Sequence, residues 1–135
     1  MVNPPDVVEV LAGEQQEQHR RRLVEVGVGR RTDVAAALAE RGCVVTATDV
    51  VEREVPGGVE FVVDDVTDPD RSVYEGADAV YALRCPPELQ RPLLEVAEAV
   101  DAACFFTTLG GDPTAVPVAE RRTVASGTLF VARDA

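Results

Sequence analysis

The residues best suited to chemistry lie in Val24-Glu-Val-Gly-Val-Gly29, with Arg30 and Arg31 behind them and Asp49 twenty positions after the second glycine. Alternating glycines let backbone come close to a ligand. A helix starting just beyond them presents unpaired N–H groups and the positive end of its dipole. An acidic residue at the tip of the next strand can accept both hydroxyls of a ribose. Together these residues point to an adenosine-containing small molecule at Gly27–Arg31 and Asp49. The dinucleotide pattern G-x-G-x-x-G is not completed, because its third glycine position falls on Thr32. A tight strand-to-helix turn that binds nothing uses the same glycines, so both readings stay open. A strand-tip carboxylate adds little to a core, so Asp49→Ala is expected to abolish binding without unfolding the chain.

A second cluster is Arg84-Cys85-Pro86-Pro87-Glu88. Arg84 can clamp a carboxylate or phosphate while the prolines stiffen the rim. Equally, Pro86-Pro87 opens a helix and Arg84 pairs with a nearby acid. Asp64, Asp65, Asp68 and Asp70 offer oxygen ligands without EF-hand spacing, and Cys43, Cys85, Cys104 and the single His19 lack metal-site spacing. No metal is expected. No general base or nucleophile is identifiable.

Positioning these residues requires a sheet. Leu23–Gly29, Cys43–Thr48, Val59–Val63, Ala77–Leu83 and Ala103–Thr107 read as short, buried, β-branched strands, and Thr128–Ala132 as a last one. Thr32-Asp33 supplies an N-cap for a helix over Val34–Arg41 that stops at Gly42. Pro86-Pro87 opens a helix with Leu89, Leu93, Leu94, Val96, Ala97 and Val100 on one broad face. Ahead of the sheet, Pro4–Arg22 reads as helical, with Val7, Val8 and Leu11 apolar and Glu14–Arg22 polar. Leu109–Pro117 is loop, and Val118–Ala125 fits no single element. Strands alternating with helices give an α/β class, a minimal Rossmann-like doubly wound sheet, mostly parallel, of five or six strands. It forms one domain over residues 1–135: a helical region 1–22, a core 23–111, and a C-terminal loop and strand 112–135. Residues 50–58 are too few for a usual parallel crossover, and Arg71–Gly76 is as short. One face is therefore thinly covered, unless the third strand is placed differently.

Composition sets the surroundings. Of 135 residues, 24 are acidic and 13 basic, for a net charge of −11, and every basic residue is Arg, none Lys. Such a surface does not neutralise phosphates, which excludes nucleic acid and anionic membrane as partners. No apolar run is long enough to span a bilayer, and the first residues lack a signal pattern, so a cytoplasmic location is expected. At about 1 M salt the Debye length is only ~3 Å, and eleven excess negative charges are then largely screened. The composition suits a high-salt cytoplasm.

Glu25-x-Gly27-x-Gly29 resembles the first motif of class I S-adenosylmethionine-dependent methyltransferases, with Asp49 at the ribose-holding position. Phe61-Val-Val-Asp-Asp65 resembles their third motif, which implies a place for Asp65 near the adenine amino group. The third alternating position is Arg31 rather than Gly, and two arginines here suit a phosphate-bearing ligand better than a cationic sulfonium. A closer resemblance runs from Leu23 to Gly111. Glu25-Val-Gly-Val-Gly, Phe61-Val-Val-Asp-Asp-Val, Gly76-Ala-Asp-Ala-Val-Tyr and Arg84-Cys-Pro-Pro-Glu-Leu-Gln are similar to uncharacterised protein family 0146, small archaeal proteins with a methyltransferase-like domain. The resemblance implies a cofactor-type site of Glu25, Gly27, Gly29, Arg30, Arg31, Asp49, Asp65 and Arg84, with S-adenosylmethionine as first candidate. Three further readings stand beside it: a non-catalytic binding or regulatory module, an NAD(P)-binding redox protein, and a scaffold with a protein partner or a second copy. The redox reading is weakened by Thr32 and by a chain too short for a substrate domain.

Overall fold

The computed structural model describes residues 2–13, 20–110 and 113–134. Seven strands form one sheet: β1 (Arg22–Val26), β2 (Val44–Asp49), β3 (Val59–Val63), β4 (Ala79–Ala82), β5 (Ala103–Phe106), β6 (Glu120–Val124) and β7 (Gly127–Arg133). Their order across the sheet is β3-β2-β1-β4-β5-β7-β6. The first five are parallel, while β7 runs antiparallel to β5 and to β6. The expectation of five or six strands is corrected to seven. The missing strand is β6, inside the ambiguous segment Val118–Ala125. Its Glu-Arg-Arg-Thr-Val sequence has no buried face and pairs only as an edge of a hairpin.

Three helices cover the sheet: α1 (Pro4–Ala12), α2 (Asp33–Glu40) and α3 (Pro87–Ala99). Asn3 caps α1 by accepting from the Asp6 N–H at 3.2 Å, ahead of the two prolines of the first turn. The expected helix to Arg22 is corrected. It stops at Ala12, Gly13 turns with φ +57°, and Arg22 is already strand; Glu14–His19 lie outside the described residues. Thr32 occupies the N-cap of α2 without a side-chain bond, and Gly42 with φ +93° ends it as expected.

Strand alternation divides the core into two layers. Leu23, Val45, Ala47, Ala79 and Tyr81 face α1 and α2, whereas Val24, Val26, Val80, Ala82 and Cys104 face α3. The short connections contain no helix: 50–58 is loop, and Arg71–Val73 is a single 3-10 turn. The loop after β5 is held by a side chain instead. Fully buried Gln90 on α3 donates from Nε2 to the Pro113 carbonyl at 3.2 Å. Its Oε1 accepts from the Ala115 N–H at 2.6 Å, fastening loop to helix.

Candidate functional site

Parallel register aligns the strand tips. Val26 lies beside Thr48, Asp49 beside Val63, and Ala82 beside Phe106, so all five parallel strands end at one edge. Successive crossovers run outward from β1 in one direction and from β4 in the other. Their junction is the crevice where open α/β sheets bind ligands.

At the tip of β1 the chain turns through Gly27 (φ +70°) and Gly29 (φ +59°). These left-handed conformations favour glycine, and a Cβ on either would meet nothing within 4 Å. Both glycines therefore leave open space above the backbone, the form of a cradle for a ligand. Two bonds fix the turn to β2. The Val28 N–H donates to the Thr48 carbonyl at 3.0 Å, and the Gly29 N–H to Asp49 Oδ2 at 2.8 Å. Asp49 Oδ1 accepts from the Val50 N–H at 2.7 Å, and Arg53 Nε approaches Oδ2 at 3.3 Å. The expectation that Asp49 adds little to the fold is thus corrected: its carboxylate is buried and anchors two backbone amides.

Glu25 sits one layer deeper, on the α1–α2 side of β1, facing Tyr81 across the β1–β4 pair. Tyr81 Oη donates to Glu25 Oε1 at 2.8 Å. Desolvation by burial pushes the Glu25 carboxyl up to about 8, the Tyr81 bond opposes this, and the charge of Asp33 adds to it. Glu25 is consequently neutral for the most part at pH 7.

Above Glu25 opens a cleft of about 290 Å³ whose polar lining is Asn3, Glu25, Arg31, Asp33, Arg84 and Thr107. Arg84 follows β4 with φ +52°, unusual for a residue with a side chain. Its N–H donates to Thr107 Oγ1 at 2.8 Å, and the Cys85 N–H to the Thr107 carbonyl at 2.8 Å. Pro87 begins α3 directly after it. Burial pushes the Cys85 thiol up to about 12, which leaves it a poor nucleophile.

The sequence-predicted residues thus fall into three groups. Gly27, Gly29 and Asp49 form one bonded unit, while Glu25, Arg31 and Arg84 line one cleft. Arg30 is exposed on the turn outside that cleft. Asp65 follows β3 and turns into its own loop, accepting from the Thr67 N–H at 2.9 Å and Thr67 Oγ1 at 2.6 Å. Asp64 accepts from Tyr74 Oη at 2.6 Å and the Asp70 N–H at 2.9 Å. Among the described residues no group of three His, Cys, Asp or Glu could hold a metal ion. His19 lies outside the described residues. No helix among them is long and apolar enough to cross a membrane. Sequence reading missed Asn3, Thr107 and Tyr81. For Tyr81 a signal existed: it is the one buried polar-tipped side chain of β4, as Glu25 is of β1.

The pattern Glu25-x-Gly27-x-Gly29, the tip acid Asp49 and the strand order now stand together. The chain belongs to the uncharacterised protein family UPF0146. The family profile matches residues 5–135. A UPF0146 protein of Halobacterium salinarum is 67% identical over 135 residues, covering 100% of both chains. Among solved structures, magnesium protoporphyrin IX methyltransferase of Synechocystis PCC 6803, with bound S-adenosylmethionine, resembles the fold with TM-score 0.65. That match has 14% identity and covers 95% of this chain and 75% of the other. The N-terminal domain of EvdMO1 with S-adenosylhomocysteine bound gives TM-score 0.54 at 16% identity, over 96% of this chain and 79% of that one. The UPF0146 chain therefore has a methyltransferase-like α/β fold.

Two outcomes follow from the site's bonding. Asp49→Ala is expected to lower unfolding stability by about 2 kcal/mol, since two amide donors lose their acceptor; urea denaturation measures this, and an unchanged midpoint contradicts the anchoring role. The folded-state pKa of Glu25 lies above its ordinary value of 4.5, so the folded chain binds the extra proton between pH 4.5 and about 8. Stability is fully present below that window and falls by about 1.4 kcal/mol per pH unit as pH rises through it. Glu25→Gln, which keeps an acceptor for Tyr81, should match the wild type at pH 4.5 and be the more stable at pH 8.5. Parallel pH profiles would show that Glu25 titrates normally.

Proposed function

We propose that this UPF0146 protein binds an adenosine-containing small molecule across the tips of β1, β2 and β3, with S-adenosylmethionine as first candidate. One observation carries the reading: two left-handed glycines have open space above them, and the second is hydrogen-bonded to the acidic tip of the neighbouring strand.

The acceptor arithmetic fits a ribose. An ionised carboxylate offers about four lone-pair sites. On Asp49 three are used, by Gly29, Val50 and the long 3.3 Å contact from Arg53. Two hydroxyls fit once Arg53 swings aside, with the two backbone bonds retained. Beside this carboxylate, Val50 and Val63 are 63% and 56% exposed, unusual for large apolar side chains at strand tips. A purine ring laid against them would remove that surface from water. Asp65, Arg30, Arg31 and Arg84 complete the proposed surroundings, with Glu25 neutral beneath them. The methyltransferase-like fold, and S-adenosyl ligands in two proteins that share it, support this choice of ligand. When bound, S-adenosylmethionine supplies an electrophilic methyl group on its sulfonium. Transfer of a labelled methyl to any cell-extract component distinguishes a methyltransferase from a non-catalytic binding module.

A thermal-shift series in roughly molar salt tests the binding. Ligand at 100 times its dissociation constant adds about 2.7 kcal/mol and raises the midpoint by several degrees in a domain of this size. Such a rise is expected with S-adenosylmethionine and S-adenosylhomocysteine. A rise with NAD or NADP alone would replace the reading with a redox one, and no rise with any adenosine compound would overturn it.

A further inference from the structure

We propose that the cleft between α1, the glycine turn and the β4–α3 loop is an anion subsite, where Arg31 and Arg84 grip the carboxylate or phosphate end of a small ligand. The inference rests on the adenosyl reading for where the rest of that ligand lies.

These two arginines share a cleft and, like Arg22, Arg30 and Arg91, have no guanidinium partner among the described residues. In a chain of net charge −11, most guanidinium groups find partners. Arg41, Arg53, Arg122 and Arg133 pair with carboxylates, and Arg20 and Arg21 donate to backbone carbonyls. The guanidinium groups of Arg31 and Arg84 make no hydrogen bond or ion pair among the described residues, yet both line the same cleft. Acidic side chains are plentiful on this surface, so unpaired cations converging on a concavity leave room for an anion from outside.

The backbone at Arg84 reinforces the point. A side-chain-bearing residue at φ +52° is strained, and the Thr107 bonds at both its own and the next amide keep it there. Glycine would fit this turn without strain, and arginine occupies it instead. Across the cleft, Arg31 stands two residues beyond Gly29.

The cleft floor does not repel an anion. Glu25 is the buried carboxyl there, hydrogen-bonded by Tyr81. Asp33, at the first position of α2, is the other acid of the lining, and it is exposed at the rim. At about 290 Å³ the cleft has room for an amino-acid tail or a short phosphate group.

Calorimetric titration of the full chain at fixed salt concentration tests this with ligand pairs of which one member lacks the anionic group. S-adenosylhomocysteine is compared with 5′-methylthioadenosine, and AMP with adenosine. Variants are Arg84→Asn, which suits a left-handed backbone, and Arg31→Gln. The anionic member of one pair is expected to bind at least tenfold tighter to the wild type. That advantage should fall at least tenfold in both variants, with the anionic member losing more affinity than its uncharged counterpart. The first pair responding identifies a carboxylate, the second a phosphate. Equal affinities within both pairs, or an advantage that survives both substitutions, overturns the subsite. If no adenosine compound binds, the adenosyl reading fails by itself. A thermal shift with inorganic phosphate then decides: stabilisation lost in Arg84→Asn upholds the anion site, and no stabilisation overturns it.

Discussion

The hydrogen bond from the Gly29 amide to Asp49 is the contact on which the rest of the site depends. It joins a loop to a strand end twenty residues away, and it forms only if several conditions hold together. β1 and β2 must pair in the register that sets Val26 beside Thr48, so that the turn leaves β1 where β2 ends. Gly27 and Gly29 must adopt positive φ, or the Gly29 N–H points elsewhere. Asp49 must fall on the strand position whose side chain reaches the α2 side. With these met, the turn keeps its shape with open space above it.

The rest of the molecule is economical. Two crossovers lack helices, and the chain substitutes short polar bonds for the packing a helix would bring. Asp64 accepts from Tyr74, Asp65 from Thr67, and Asp70 from Ser72. Contacts this short are little weakened by a Debye length of ~3 Å at molar salt, whereas longer-range repulsion between carboxylates is suppressed. An acidic composition and a thinly covered sheet are therefore compatible: the carboxylates that tie the turns are the same residue type that charges the surface.

What was legible in the sequence was local. The β-branched runs, the glycine pair and the tip acid twenty residues on give the parallel core and its binding edge directly, because strand period and turn chemistry act over a few residues. The cleft was not legible as a cleft, because it is assembled from distant pieces. Asn3 arrives from the start of α1, Arg84 from the end of β4 and Thr107 from the end of β5, and only the strand order makes them neighbours. Asp49 was read for its ligand chemistry alone, since nothing local shows that its carboxylate already holds Gly29. The segment around β6 escaped for a different reason: an edge strand with no fully buried residue carries no hydrophobic alternation.

The glycine turn tied to Asp49 is the proposed seat of an adenosine ligand. Amide chemical shifts of the labelled protein, followed while S-adenosylhomocysteine is added, locate the bound molecule. Concentration-dependent shifts are expected at Gly27, Gly29 and Val50, with the β6–β7 hairpin unmoved. Saturating ligand that leaves those three amides in place, or that shifts the hairpin instead, would contradict it.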